Sequence, residues 1–86
     1  MNVSIDISMY PLREGFEEPI IDFIKKLRLS SFHTEENGLS TQIFGDFKEV
    51  TEFVNENMHQ ALLDEENCVF TLKIVSSDRS QHEPTY

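Results

Sequence analysis

The chain is poor in most features that mark a specialised class. It has one cysteine, Cys68, so no internal disulfide can form and nothing depends on an oxidising compartment. Tryptophan is absent and there are only three glycines, which leaves no phosphate-cradling loop and no dinucleotide fingerprint. Cations are scarce: 7 Lys and Arg stand against 16 Asp and Glu, a formal net charge of −9. That deficit argues against a nucleic-acid partner, which basic patches would hold, and suits neutral or cationic small molecules better. No apolar run approaches the roughly 18 residues of a membrane span. The opening Met1-Asn2-Val3-Ser4-Ile5-Asp6 lacks the basic start and apolar stretch of a signal peptide. The expected setting is cytoplasmic, with no membrane insertion. At 86 residues this is one small domain, of a size at which a partner subunit would add stability.

What is present is periodicity. Residues 3–10 alternate strictly, with Val3, Ile5, Ile7 and Met9 on one side and Ser4, Asp6, Ser8 and Tyr10 on the other. Period two over eight residues predicts a strand with one apolar face, ended by Pro11. Residues 19–29 read as a helix with Pro19 at its first position, and Phe16, Ile20, Phe23, Ile24 and Leu27 make one apolar stripe. Glutamates near its start and Lys25, Lys26 and Arg28 near its end complement the helix dipole. Asn37-Gly38 between residues 31–36 and 39–45 predicts a tight hairpin in which both turn residues take positive φ. Asp46 with Glu49 resembles a capping box opening a second helix, whose stripe is Val50, Val54, Met58 and Ala61. The acidic run 64–67 ends it, and residues 68–75 form the last strand. Residues 76–86 are polar, contain Pro84 and lack periodicity, so a loose tail is expected.

The order strand, helix, strand, strand, helix, strand defines an α+β, ferredoxin-like βαββαβ domain. It is assigned to residues 1–79, with 80–86 as a flexible tail. Both helices should cover one face of a four-stranded antiparallel sheet whose central neighbours are the first and third strands. The helix-facing core is then Val3, Ile5, Ile7, Leu39, Ile43, Phe70, Leu72 and Ile74. The face left bare collects Ser4, Asp6, Ser8, Tyr10, Ser40, Gln42, Phe44, Val69, Thr71, Lys73 and Val75. Small hydroxyls, an amide and two aromatics are unusual for a solvated face. Three readings compete: an interface between copies, a ligand pocket, and a plain wet face with Asp6 and Lys73 as a cross-strand ion pair. The first two can coexist, because pockets often form where subunits meet.

Enzyme constellations are weak. His33, His59 and His82 fall on a hairpin arm, a helix and the tail without ligand spacing, so no metal site is expected. Cys68 reads as a small buried hydrophobe. Arg13 is a lone candidate for an anion loop of the acylphosphatase kind, without the glycine-rich nest such a loop uses. Asp6 with His33 is the one acid–base pair available to a hydrolase, and their strands are not neighbours in this plan.

Two segments carry a family resemblance. The first strand runs into Ser8-Met9-Tyr10-Pro11-Leu12, and the hairpin's second arm is Leu39-Ser40-Thr41-Gln42-Ile43-Phe44-Gly45-Asp46. They resemble the YkoF-type thiamine/hydroxymethylpyrimidine-binding family, with its Ser-x-Tyr-Pro strand end and its Ser-Thr pair shortly before a glycine that opens the second helix. The resemblance covers most of residues 3–79. Met9 stands where leucine is common, and full YkoF proteins carry two such repeats where this chain carries one. A single repeat would have to pair with a copy of itself.

The resemblance implies a non-catalytic protein that binds thiamine or its hydroxymethylpyrimidine precursor for salvage, buffering or transport, as a homodimer or higher oligomer through the open sheet face. The vitamin is ligand, not cofactor. The implied site is Asp6, Ser8, Tyr10, Ser40, Thr41, Gln42 and Phe44. Tyr10 and Phe44 supply ring faces, and Ser8, Ser40, Thr41 and Gln42 exchange hydrogen bonds with the aminopyrimidine. Asp6 or an aromatic face meets the thiazolium cation. Thr41 points by strict alternation toward the helices, which either puts the pocket at the strand end between sheet and helices or makes Thr41 structural. The alternative function is an oligomeric interaction or regulatory module with no vitamin ligand.

Overall fold

The computed structural model describes residues 1–81. Its elements are β1 (Asn2–Pro11), α1 (Glu17–Arg28), β2 (His33–Glu36), β3 (Thr41–Asp46), α2 (Phe47–Asp64) and β4 (Cys68–Val75). The four strands form one antiparallel sheet in the order β2-β3-β1-β4. This is the ferredoxin-like arrangement that the element order predicts. One cluster joins the helices to the sheet: Phe23 and Leu27 of α1 and Val50 and Val54 of α2 meet Val3, Ile5, Ile7, Met9 and Ile43. Leu27, Ile43 and Val50 are fully buried.

The second helix starts as read. Asp46 is the N-cap, in extended conformation, and its carboxylate accepts from the Glu49 amide. The first helix starts two residues earlier than expected. Phe16 takes the cap position, Glu17 and Glu18 fill the first turn, and Pro19 is the third helical residue. Its missing N–H is harmless there, because the first four helical amides have no intrahelical acceptor.

The hairpin differs more. The β2–β3 ladder closes at Glu36↔Thr41, so four residues make the turn. Among the described residues, only Gly15 has positive φ (72°), and the mirror-image two-residue turn is not formed. Asn37 builds the turn by a different route. Its Oδ1 accepts from the amides of Leu39 (2.8 Å) and Ser40 (3.1 Å), and its own amide donates to the Ser40 carbonyl (3.2 Å). An Asx turn of this kind asks for asparagine, not for left-handed backbone.

Three residues assigned to the core lie outside it. Leu39 sits in the turn and is 89% exposed. Leu72 and Ile74 point to the helix side, opposite Ile7 and Ile5, yet remain 41% and 47% exposed. β4 is the sheet's edge, and the helices cover the central strands. Only the start of β4 is reached, where Phe70 lies 5.0 Å from the Phe23 ring.

The loose tail expected from residue 76 is fastened at first. The Ser4 hydroxyl donates to the Ser77 carbonyl (2.7 Å) and accepts from the Arg79 amide (2.8 Å). Ser80 bonds back to Asp78 through both its amide and its hydroxyl. From residue 82 onward, including His82, the tail assignment lies outside the described residues.

Candidate functional site

The seven site residues expected from sequence fall into two cavities that share the turn at Asn37, Leu39 and Ser40. The first, about 510 Å³, is a cleft at the end of β1, between the hairpin turn and α1. Ser8, Tyr10, Ser40 and Thr41 line it, against Phe16, Ile20, Phe23 and Ile24 of the helix side. The second, about 490 Å³, lies on the open sheet face and holds Asp6, Ser40, Gln42 and Phe44 with Ser4, Lys73, Val75 and Arg79. Both volumes lie in the range of small-ligand sites.

In the strand-end cleft the geometry resolves the direction of Thr41. It pairs with Ile7 in the β1–β3 register, faces the helix side and is 6% exposed, while lining the cleft. Its hydroxyl has no hydrogen-bond partner among the described residues, and neither has that of Tyr10, a side chain that is half exposed. Ser8 makes one long bond, from its hydroxyl to the Leu39 carbonyl at 3.4 Å. Apolar walls with two unpartnered hydroxyls can hold a flat, polar-edged ring: the walls exclude water and the hydroxyls give or accept at its rim. Glu36 stands at the edge, clasped by Arg28 through Nε and Nη2 at 2.5 Å each. That double donation holds the Glu36 carboxyl below its usual range.

On the open face Asp6 is the hub. Its Oδ1 accepts from Ser40 Oγ (2.5 Å) and Gln42 Nε2 (2.7 Å), and Gln42 also donates to Ser40 (2.8 Å). Asn37 donates to Gln42 Oε1 at 3.4 Å. Burial pushes the Asp6 carboxyl up, but the bonds from Ser40 and Gln42 and the charge of Lys73 outweigh it, and the net shift is downward. Lys73 stands opposite Asp6 in the β1–β4 register without forming the expected close ion pair. Phe44 is 7% exposed and lies 5.3 Å from the His33 ring, so one of its faces is already occupied. The network thus engages Asp6 Oδ1, the Gln42 amide and the Ser40 proton internally, while the cleft holds the Tyr10 and Thr41 hydroxyls.

Sequence reasoning missed the helix-side wall. Phe16 and Ile20 fell into a generic apolar stripe, although Phe16 is 47% exposed. An aromatic just before a helix, facing a Tyr-Pro strand end, was the available signal. Arg13 is committed to Glu65 (2.7 Å) and to the Glu14 carbonyl, which pins the loop after β1. His33 and Asp6 are two strands apart. Among the described residues no group of three or more His, Cys, Asp or Glu is placed to hold a metal, and no helix is long and apolar enough to cross a membrane.

The class defined by this geometry is a small ferredoxin-like α+β domain with a ligand-sized cleft at its central strand end. Solved structures of the same build include a Streptococcus pneumoniae protein (TM-score 0.83, 22% identity, 91% of this chain and 89% of that one). Another is a Thermotoga maritima protein provisionally assigned to thiamine biosynthesis/salvage (TM-score 0.82, 23% identity, 90% and 85%). A third is a Bacillus cereus domain of unknown function, DUF77 (TM-score 0.74, 18% identity, 99% and 84%). At these identities the likeness establishes the shared fold. No protein-family model and no curated protein matches the chain.

Proposed function

We propose that this protein is a non-catalytic carrier of thiamine or its hydroxymethylpyrimidine precursor, held in the strand-end cleft. The observation that carries the reading is the pair of unpartnered hydroxyls, Tyr10 and Thr41, set in an otherwise apolar cleft of ligand size. The aminopyrimidine ring lies against Tyr10 and the Phe16–Phe23 wall, and its amine and ring nitrogens meet Tyr10, Thr41 and Ser8. The Asp6 network holds Ser40 in place from the other side of the turn. A cationic thiazolium suits a chain of net charge −9, and the cleft lining contains no Lys or Arg to favour a phosphorylated form. The Thermotoga maritima relative adds support from outside the chain. The protein works in the cytoplasm as a homo-oligomer in which a second copy covers the open face.

Isothermal titration tests this directly. Thiamine or hydroxymethylpyrimidine should bind well below millimolar concentration. Tyr10→Ala should weaken binding by about 1–3 kcal/mol, the scale of one lost aromatic stacking contact. A folded protein that binds neither compound removes the reading and leaves the interaction module, for which the exposed apolar residues of β4 speak. Unchanged affinity in the variant removes Tyr10 from the site.

A further inference from the structure

The Asn37-Gly38 pair does not make the left-handed turn its sequence predicts, and both residues are exposed. Asn37 Oδ1 accepts from the amides of Leu39 (2.8 Å) and Ser40 (3.1 Å). Its Nδ2 makes one long bond, to Gln42 Oε1 at 3.4 Å. The Gly38 amide donates to no acceptor among the described residues. Gly38 has no Cβ, and nothing lies within 4 Å of where one would be. An amide carbon whose oxygen is polarised by two fixed donors is therefore followed in the chain by an amide nitrogen that is neither bonded nor shielded.

From this we infer that Asn37 is a self-modification site, at which the chain converts its own side-chain amide to a carboxylate through a cyclic imide with Gly38. The Gly38 nitrogen gives up its proton to solvent and attacks Asn37 Cγ, an approach that no side chain on residue 38 obstructs. As the N–Cγ bond forms, Oδ1 becomes an oxyanion held by the Leu39 and Ser40 N–H groups, the arrangement that stabilises tetrahedral intermediates elsewhere. The Cγ–Nδ2 bond then breaks, and Nδ2 leaves as ammonia with a proton from water. Water opens the imide. Opening at Cγ leaves an aspartate, and opening at the main-chain carbonyl leaves an isoaspartate, which adds a methylene to the backbone. One water is consumed and one ammonia released, and nothing is oxidised or reduced.

The turn accommodates the aspartate form, because a carboxylate accepts from the same two amides more strongly than an amide oxygen does. The consequence falls on both cavities, since Asn37 lines each of them. A carboxylate at position 37 joins Glu36 at the strand-end cleft and Asp6 and Glu35 at the open face, and the donor to Gln42 is lost. Both cavities then favour cations more than before. The isoaspartate form also lengthens the turn that closes at Glu36↔Thr41 and so loosens Ser40 from Asp6.

Peptide mapping of the folded chain, held at mildly alkaline pH, decides it. Conversion should appear at Asn37 ahead of Asn55, Asn57 and Asn67, with both products present and a matching acidic shift on native isoelectric focusing. Gly38→Ala suits the backbone, which has no positive φ there, and its Cβ meets open space. That variant should keep its circular dichroism while conversion slows severalfold. Asn37→Asp supplies the product as a standard and should melt no lower than the unmodified chain at neutral pH. The proposal is overturned if Asn37 stays intact in the folded chain while the same segment converts as a free peptide. Equal rates in Gly38→Ala, or earlier conversion at another asparagine, would overturn it too. No ligand enters the test, so its outcome is independent of the carrier reading.

Discussion

At the residue scale, the glycines show how chemistry and position part company. Gly45 is a β3 residue of ordinary φ, so its backbone would accept alanine. Its surroundings would not. A Cβ there would lie 2.7 Å from Cδ1 and 3.0 Å from Cε1 of Phe32, a ring packed at a tilt with its centroid 5.4 Å from that of Phe53. Gly45→Ala is therefore expected to displace Phe32 and destabilise the fold by about 1–3 kcal/mol, the usual cost of overpacking, as read by urea titration. Gly38, which the Asn-Gly signal marked as conformationally special, has open space and no positive φ. The sequence pattern pointed to the right loop for the wrong reason. Asn37 acts through its side-chain oxygen, and dipeptide statistics do not separate that from a left-handed turn. The resemblance did bring Ser8, Tyr10, Ser40 and Thr41 to one cleft. It did not foresee that Asp6 and Gln42 would be engaged with Ser40, since hydrogen bonds between side chains depend on rotamers that alternation does not encode.

At the element scale, strict period two made β1 legible to within a residue, and the bounds of β4 came out as read. Legibility failed where tertiary context overrode pattern. Leu72 and Ile74 carry the core alternation of β4, yet no helix reaches them, because sheet position rather than sequence decides which apolar face is covered. The segment after β4 shows the opposite failure. Residues 76–79 have no periodicity, so they read as tail, but Ser4 fastens them. Ser4 is 6% exposed on what sequence reasoning took to be a bare face. Ser4→Ala removes a donor and an acceptor at once and leaves the Ser77 carbonyl and the Arg79 amide without that partner. The expected cost is about 1–3 kcal/mol. Hydrogen exchange should locate it: the Arg79 amide loses protection, while amides in the β1–β3 ladder keep theirs. Equal loss at both places would mean that Ser4 supports the sheet itself and not the segment.

At the scale of the whole molecule, the acidic excess sets the pH response. Among the described residues five carboxyls lie below their ordinary values. For Asp6, hydrogen bonds from Ser40 and Gln42 with the Lys73 charge overcome burial. Arg28 lowers Glu36, and Arg13 lowers Glu65. The N-terminal ammonium and the Glu49 amide lower Asp46, and Ser80 lowers Asp78. A carboxyl with a lower pKa folded than unfolded binds fewer protons in the native state. The unfolded chain therefore takes up more protons as pH falls, and stability falls with it. The contribution is fully present above the unfolded values, about 4, and is lost as pH drops through the folded ones. Thermal melts should accordingly change little between pH 7 and 5 and shift steeply downward below about pH 4. Three of the five, Asp46, Glu65 and Glu36, belong to ion pairs whose cations are at least half exposed and which salt screens, and Asp78 is held by its neighbour Ser80, whereas Asp6 is shared between two strands and the turn. Asp6→Asn should thus flatten the acid limb more than Glu36→Gln does. An equal effect of the two substitutions would show that the open-face network is no stronger than a surface ion pair.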